Sequence, residues 1–174
     1  MTSKPVTIIM GSDSDREILL EACNVLKQFR IGFHITVSSA HRSPDRTRKL
    51  IKDSEGAGTR IFIIGAGRAA HLAGVVAAET CLPVIGVPIE SGSFKGFDAL
   101  LSTVQMPAGI PVATMATGNA GARNAALLAV QILALNNDDL REKIAAYKHE
   151  LAIGVTKKAS MIEQDSWEPG VGDD

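Results

Sequence analysis

Aromatic residues are scarce in this sequence. Phe, Trp and Tyr make up 4% of its 174 residues, too few to build the stacking surfaces that hold single-stranded nucleic acid. Cysteine is scarcer still. Cys23 and Cys81 are the only two, which excludes a disulfide framework and any CxxC metal site. No charge of one sign dominates: 18 Lys and Arg face 19 Asp and Glu, for a net charge of −1. That balance leaves no electrostatic footprint for a nucleic-acid partner. No apolar run approaches the ~20 residues needed to span a bilayer, so no membrane partner is expected. Met1–Pro5 passes directly into a strand-like run without an apolar signal segment, and a soluble cytoplasmic protein is the expectation. What the sequence does have is small residues, with 23 Ala and 16 Gly. Its length suits one domain with a sizeable core.

Four short aliphatic runs read as strands: Val6–Met10, Phe33–Val37, Ile61–Ile64 and Val84–Val87. Val112–Met115 is a weaker fifth. Unbroken apolar runs of this length suit strands buried on both faces of a parallel sheet. Helical patterns alternate with them, at Arg16–Phe29, Pro44–Lys52, His71–Thr80, Phe94–Val104, Asn119–Leu135 and Asp138–Met161. The second of these has a marked start: Ser43 can cap, Pro44 suits the first helical position, and Asp45 suits the positive dipole end. This alternation predicts an α/β fold, a three-layer α/β/α sandwich with a flavodoxin-like parallel sheet of strand order 2-1-3-4-5. Residues 1–163 are expected to form one catalytic domain, and residues 164–174 a polar tail whose Trp167 can dock on a surface.

In such sheets ligands bind beyond the carboxyl ends of the strands. Three strand-end loops carry functional groups. The first is Gly11-Ser12-Asp13-Ser14-Asp15. Ser12 and free backbone N–H groups suit a phosphate. One aspartate can cap the following helix while the other accepts from ribose hydroxyls. The same residues also suit plain capping, and both readings stand. The second loop is Ser38-Ser39-Ala40-His41-Arg42-Ser43-Pro44. His41, at a helix N-terminus, can titrate near neutrality and act as base and acid. Arg42 can hold a phosphate or carboxylate in bidentate fashion. Read singly, they are a hydrogen-bonded loop histidine and a surface charge; together at a strand end they favour chemistry. The third loop runs from Gly65 to Gly74 and contains Arg68 and His71. His71 can contact ligand or hydrogen-bond loop carbonyls, and both remain open.

Other residues are assigned to structure. His34 falls in the second strand and His149 in the last helix, and the four histidines lack metal-ligand spacing. Cys23 and Cys81 are read as packing residues. Three functions of this architecture also fail on motif. The third strand ends without the acid a phosphoacceptor domain needs, the aromatics lie far from the strand-end loops that would flank a flavin, and no GxxxxGK[ST] occurs.

Six blocks carry a more specific signal. They are Met10-Gly-Ser-Asp-Ser-Asp15, Ser39-Ala-His-Arg-Ser-Pro-Asp45, Gly65-Ala-Gly-Arg-Ala-Ala-His-Leu72, Pro83-Val-Ile-Gly-Val-Pro88, Val104-Gln-Met-Pro-Ala-Gly-Ile-Pro-Val112 and Asn119-Ala-Gly-Ala-Arg-Asn-Ala-Ala-Leu-Leu128. In combination they resemble the bacterial N5-carboxyaminoimidazole ribonucleotide mutase family, the class I PurE type. Arg68 stands where that family has glycine, Ala73 where proline is frequent, and Gly118-Asn119 where Gly-Lys is common. Arg68 also matches an AGRS-type loop of the class II enzymes, which carboxylate aminoimidazole ribonucleotide with CO2. The resemblance implies a small-molecule substrate, carboxyaminoimidazole ribonucleotide, whose carboxylate moves from the exocyclic nitrogen to ring carbon C4 without metal or other cofactor. It implies His41 as the proton shuttle and Ser12, Asp15 and Arg42 as nucleotide-binding positions. Ser39, Ala40, Gly67, Ala70, His71 and Leu72 fall on the other site loops, and the assembly implied is a homo-octamer. The alternatives are the CO2-dependent carboxylase and a nucleotide-sensing module without chemistry.

Overall fold

A computed structural model describes residues 4–167. Five parallel strands form one sheet in the order β2-β1-β3-β4-β5. They are β1 (Val6–Met10), β2 (Phe33–Val37), β3 (Ile61–Gly67), β4 (Val84–Ile89) and β5 (Ala113–Thr114). The helices are α1 (Arg16–Gln28), α2 (Pro44–Gly56), α3 (Leu72–Glu79), α4 (Phe97–Val104), α5 (Gly118–Ala134) and α6 (Asp138–Glu163).

The unbroken apolar runs follow from burial on two faces. Successive strand side chains point to opposite sides. Val6, Ile8 and Met10 of β1 join Ile61, Ile63, Ile85, Val87 and Ile89 beneath α1 and α5. The intervening Ile9, Phe62, Ile64 and Val84 meet Ile51 of α2, Val76 of α3 and Ala99 of α4 on the other face. β1 and β4 are buried throughout, and β3 as far as Ala66. The outer strands depart from the expectation of burial on both faces. β2 is only partly covered, with Val37 exposed, and β5 has just two residues.

Several element ends also differ from their sequence patterns. β3 runs three residues past Ile64, through Gly65-Ala66-Gly67, and pairs with β4 as far as Ile89. Pro88 is tolerated because β5 pairs only with Ile85 and Gly86, so that edge of β4 is free there. α2 continues to Gly56 rather than stopping at Lys52. α4 begins at Phe97 instead of Phe94, since Gly92, Lys95 and Gly96 all have positive φ and cannot extend a right-handed helix. Cys23 is buried as expected, but Cys81 is exposed in the connection between α3 and β4 and is no packing residue. His34 and His149 are exposed. Trp167 is 81% exposed; the rest of the expected tail, residues 168–174, lies outside the described residues. Among the described residues, no helix is long and apolar enough to cross a membrane.

Candidate active site

The loops leaving the carboxyl ends of β1, β2, β3 and β4 enclose a cavity of about 560 Å³. Its wall contains Ser12, Asp15, Ser39, Ala40, His41, Arg42, Gly67, His71 and Leu72. Of the expected site residues only Ala70 stands back from the wall; it is buried in the core beneath it.

The loop after β1 is a short 3-10 turn, Asp13–Asp15, closed by a capping box. The Ser14 N–H donates to the Ser12 hydroxyl at 3.4 Å, and the Ser12 N–H donates to the Asp15 carboxylate at 3.1 Å. Ser12 thus caps the turn with Asp15 reaching back to it, and Asp15 makes no side-chain cap on α1, while Asp13 stays exposed and accepts from the Ser12 hydroxyl at 3.2 Å. Asp15 is 5% exposed. Desolvation pushes its carboxyl above the usual range, against the lowering effect of hydrogen bonds from the Ser12 N–H and the Ser14 hydroxyl. Asp13 beside it adds a smaller upward push.

The loop after β2 is stapled by Ser43. Pro44 occupies the first turn of α2 as expected, but Ser43 makes no side-chain cap. Its hydroxyl instead accepts from the Ser39 N–H at 3.2 Å and donates to the Ser39 carbonyl at 3.1 Å. Below it the buried Ser38 and Thr47 hydroxyls bond at 2.8 Å. This fixes the turn that presents His41 and Arg42. The Arg42 guanidinium leans toward β1, donating to the Gly11 carbonyl and the Ser39 hydroxyl at 3.5 Å each.

α3 starts one residue later than expected. His71 precedes it and makes no side-chain cap bond. Its ring is directed at His41, with His41 Nε2 to His71 Nδ1 at 2.9 Å and the rings edge-to-face at 82°. The loops after β2 and β3 therefore meet across the end of β1, which lies between those strands. One nitrogen of this contact carries the shared proton and the other accepts it.

Sequence reasoning missed Ser91, which also lines the cavity. The residue follows β4, a strand expected to end at Val87, so its loop drew no attention. Gly67 is its necessary neighbour: a Cβ there would lie 2.2 Å from Ser91 Oγ and 3.0 Å from the Ile89 carbonyl oxygen. Arg68, next along the wall, has φ +55°, a left-handed conformation that glycine adopts freely. Among the described residues, no three His, Cys, Asp or Glu side chains converge as a metal site.

A family model described as AIR carboxylase matches residues 5–153, which include the whole sheet and every cavity loop. The chain belongs to the AIR carboxylase family. Within it, the N5-carboxyaminoimidazole ribonucleotide mutase of Pyrococcus horikoshii is 48% identical over 168 residues, covering 96% of this chain and 94% of that protein. The phosphoribosylaminoimidazole carboxylase of Candida glabrata is 44% identical over 163 residues, but these are 28% of its length and 94% of this chain. The crystal structure of Treponema denticola PurE superposes with a TM-score of 0.83 at 30% identity, covering 91% of this chain and 98% of that one. The sequence match with the mutase thus spans nearly all of both chains, whereas the fungal carboxylase is a much longer protein.

Proposed function

We infer that this chain is an isomerase of purine biosynthesis that converts N5-carboxyaminoimidazole ribonucleotide by moving its carboxylate to ring carbon C4. The observation that carries this reading is the His41–His71 pair on the cavity wall, in a chain similar to mutases over nearly their whole length.

The reaction needs a proton delivered to one atom and removed from another. The N–C bond of the carbamate breaks, its electron pair stays on nitrogen, and His41 as imidazolium protonates that nitrogen. The enamine-like electron pair at C4 then attacks the carbon of the released CO2. The C4 proton returns to His41, so no proton is gained or lost overall. His71 Nδ1, bonded to His41 Nε2, gives the proton a second resting place. Ser12, Asp15 and Arg42 hold the phosphate and ribose. Ser39, Ala40, Gly67 and Leu72 form walls that keep CO2 from water, and Ala70 supports them from behind. No cofactor takes part. The enzyme works in the cytoplasm as a homo-octamer. A row of exposed apolar side chains on the outer half of α6 (Leu151, Val155 and Ile162) supports assembly.

The test is an assay of purified protein with two substrates. Turnover of carboxyaminoimidazole ribonucleotide without bicarbonate is expected. Efficient turnover only of aminoimidazole ribonucleotide with bicarbonate would refute the mutase reading.

A further inference from the structure

Arg68 is a cation on the cavity wall with no protein partner for its charge: none of the ion pairs among the described residues includes it. Its backbone sits at φ +55°. A residue bearing a Cβ is disfavoured there relative to glycine, as it is at Arg30 and Lys95, which share this conformation away from the cavity wall. The guanidinium leans over the next loop, where Nε lies 3.8 Å from the position a Cβ would take on Gly92, beside Ser91.

We propose that Arg68 binds the migrating carboxylate of the substrate, as a second anion subsite distinct from the phosphate subsite around Arg42. The proposal rests on the mutase reading and deepens it. The substrate of that reaction carries two anionic groups, a phosphate and a carboxylate. The wall carries two arginines, and they occupy opposite sides. Arg42 follows β2 and leans onto Gly11 and Ser39, while Arg68 follows β3 and leans toward the β4 loop. With β1 between those strands, the two loops start about 10 Å apart. The His41–His71 contact joins the two arginine-bearing loops. A ribonucleotide with its phosphate on Arg42 and its imidazole at the histidines directs its far edge to Arg68. The carboxylate leaves the exocyclic nitrogen and lands on the adjacent ring carbon, so one guanidinium faces both its starting and its final position. An arginine fork is the side chain suited to a planar carboxylate.

This contact stabilises the two carboxylated ground states and not the neutral CO2 between them. Its loss therefore raises KM without lowering kcat. The experiment compares wild type with R68G, a change the left-handed backbone accommodates, so that the variant melts no lower than wild type. Calorimetry is run with aminoimidazole ribonucleotide, which lacks the carboxylate, and with its C4-carboxylated product. R68G is expected to weaken the carboxylated ligand about tenfold or more and the other less than about twofold, with KM for the carbamate substrate rising in step and kcat not falling. Equal weakening of both ligands would put Arg68 on the phosphate, and unchanged affinity for both would put it in solvent; either overturns the proposal. Wild type that binds neither ribonucleotide overturns the mutase reading itself, a result separable from any difference between the two proteins.

Discussion

His41 and Asp15 face the same cavity but answer to different physics. His41 is exposed and owes its position to the Ser39–Ser43 staple and to His71. Asparagine there keeps a hydrogen-bonding side chain but cannot shuttle a proton. H41N is expected to lose about 10²–10⁴-fold in kcat with nucleotide affinity largely kept; steady-state kinetics with equilibrium binding checks this, and near-normal kcat would remove His41 from the chemistry. Asp15 is buried, and desolvation raises its pKa from 3.8. The folded protein therefore holds the Asp15 proton more tightly than the unfolded chain does. The contribution of Asp15 to stability falls as pH rises through the interval above 3.8 and then levels off. In D15N that slope is absent, and the side-chain oxygen can still accept from the Ser12 N–H. Urea unfolding of both proteins between about pH 4 and about pH 7 should show D15N gaining on wild type as pH rises. A pH-independent difference would contradict the assignment.

Among the elements, the central strands were the most legible, because burial on both faces leaves unbroken apolar runs in β1, β3 and β4. Their ends were not. Gly65-Ala66-Gly67 reads as a loop, yet it is strand whose small residues admit α1 and the β4 loop. A Cβ on Gly65 would lie 2.7 Å from Leu19 Cδ1 and 3.0 Å from Ile89 Cδ1. G65A is accordingly expected to destabilise by about 1–3 kcal/mol through overpacking, read as a lower midpoint in urea. The same shortening hid Ser91, since the loop that carries it begins two residues beyond the expected strand end. The three functional loops were visible because each follows an apolar run and carries polar residues in a short span. What those residues do to one another was not visible. Ser43 has the composition of a cap but serves as a staple. The contact of His41 with His71 spans thirty residues and depends on β2 and β3 flanking β1, which a pattern of local periodicity does not encode.

The molecule as a whole has one element that outruns its core. α6 is 26 residues long, about 39 Å at 1.5 Å per residue. Leu140 is buried, and Ile144 and Tyr147 pack on the core, with Tyr147 edge-to-face on Phe29 at 5.7 Å. The same stripe continues through Leu151, Val155 and Ile162, which are 54%, 68% and 70% exposed. Apolar stripes at helical spacing are buried in stable proteins, and a second copy of the chain is the cover that the proposed octamer supplies. Replacing Leu151 and Val155 together by lysine should give a smaller species in sedimentation velocity, with the circular dichroism of the fold kept. Assembly that survives both substitutions would exclude this face as an interface.

The position of the cavity residues along the chain has a consequence for biosynthesis. Among the described residues, every one that lines the cavity falls between Gly11 and Ser91. α5 and α6 contribute none: α5 shares with α1 the sheet face formed by Ile8, Ile63 and Val87, and α6 packs on α5 and Phe29. A chain emerging from the ribosome amino end first therefore completes the segments of its reaction centre while α1 is the sole cover available for that face. The last two helices act as a late-arriving shield, and the interval before they dock is when the nascent protein is most exposed to aggregation.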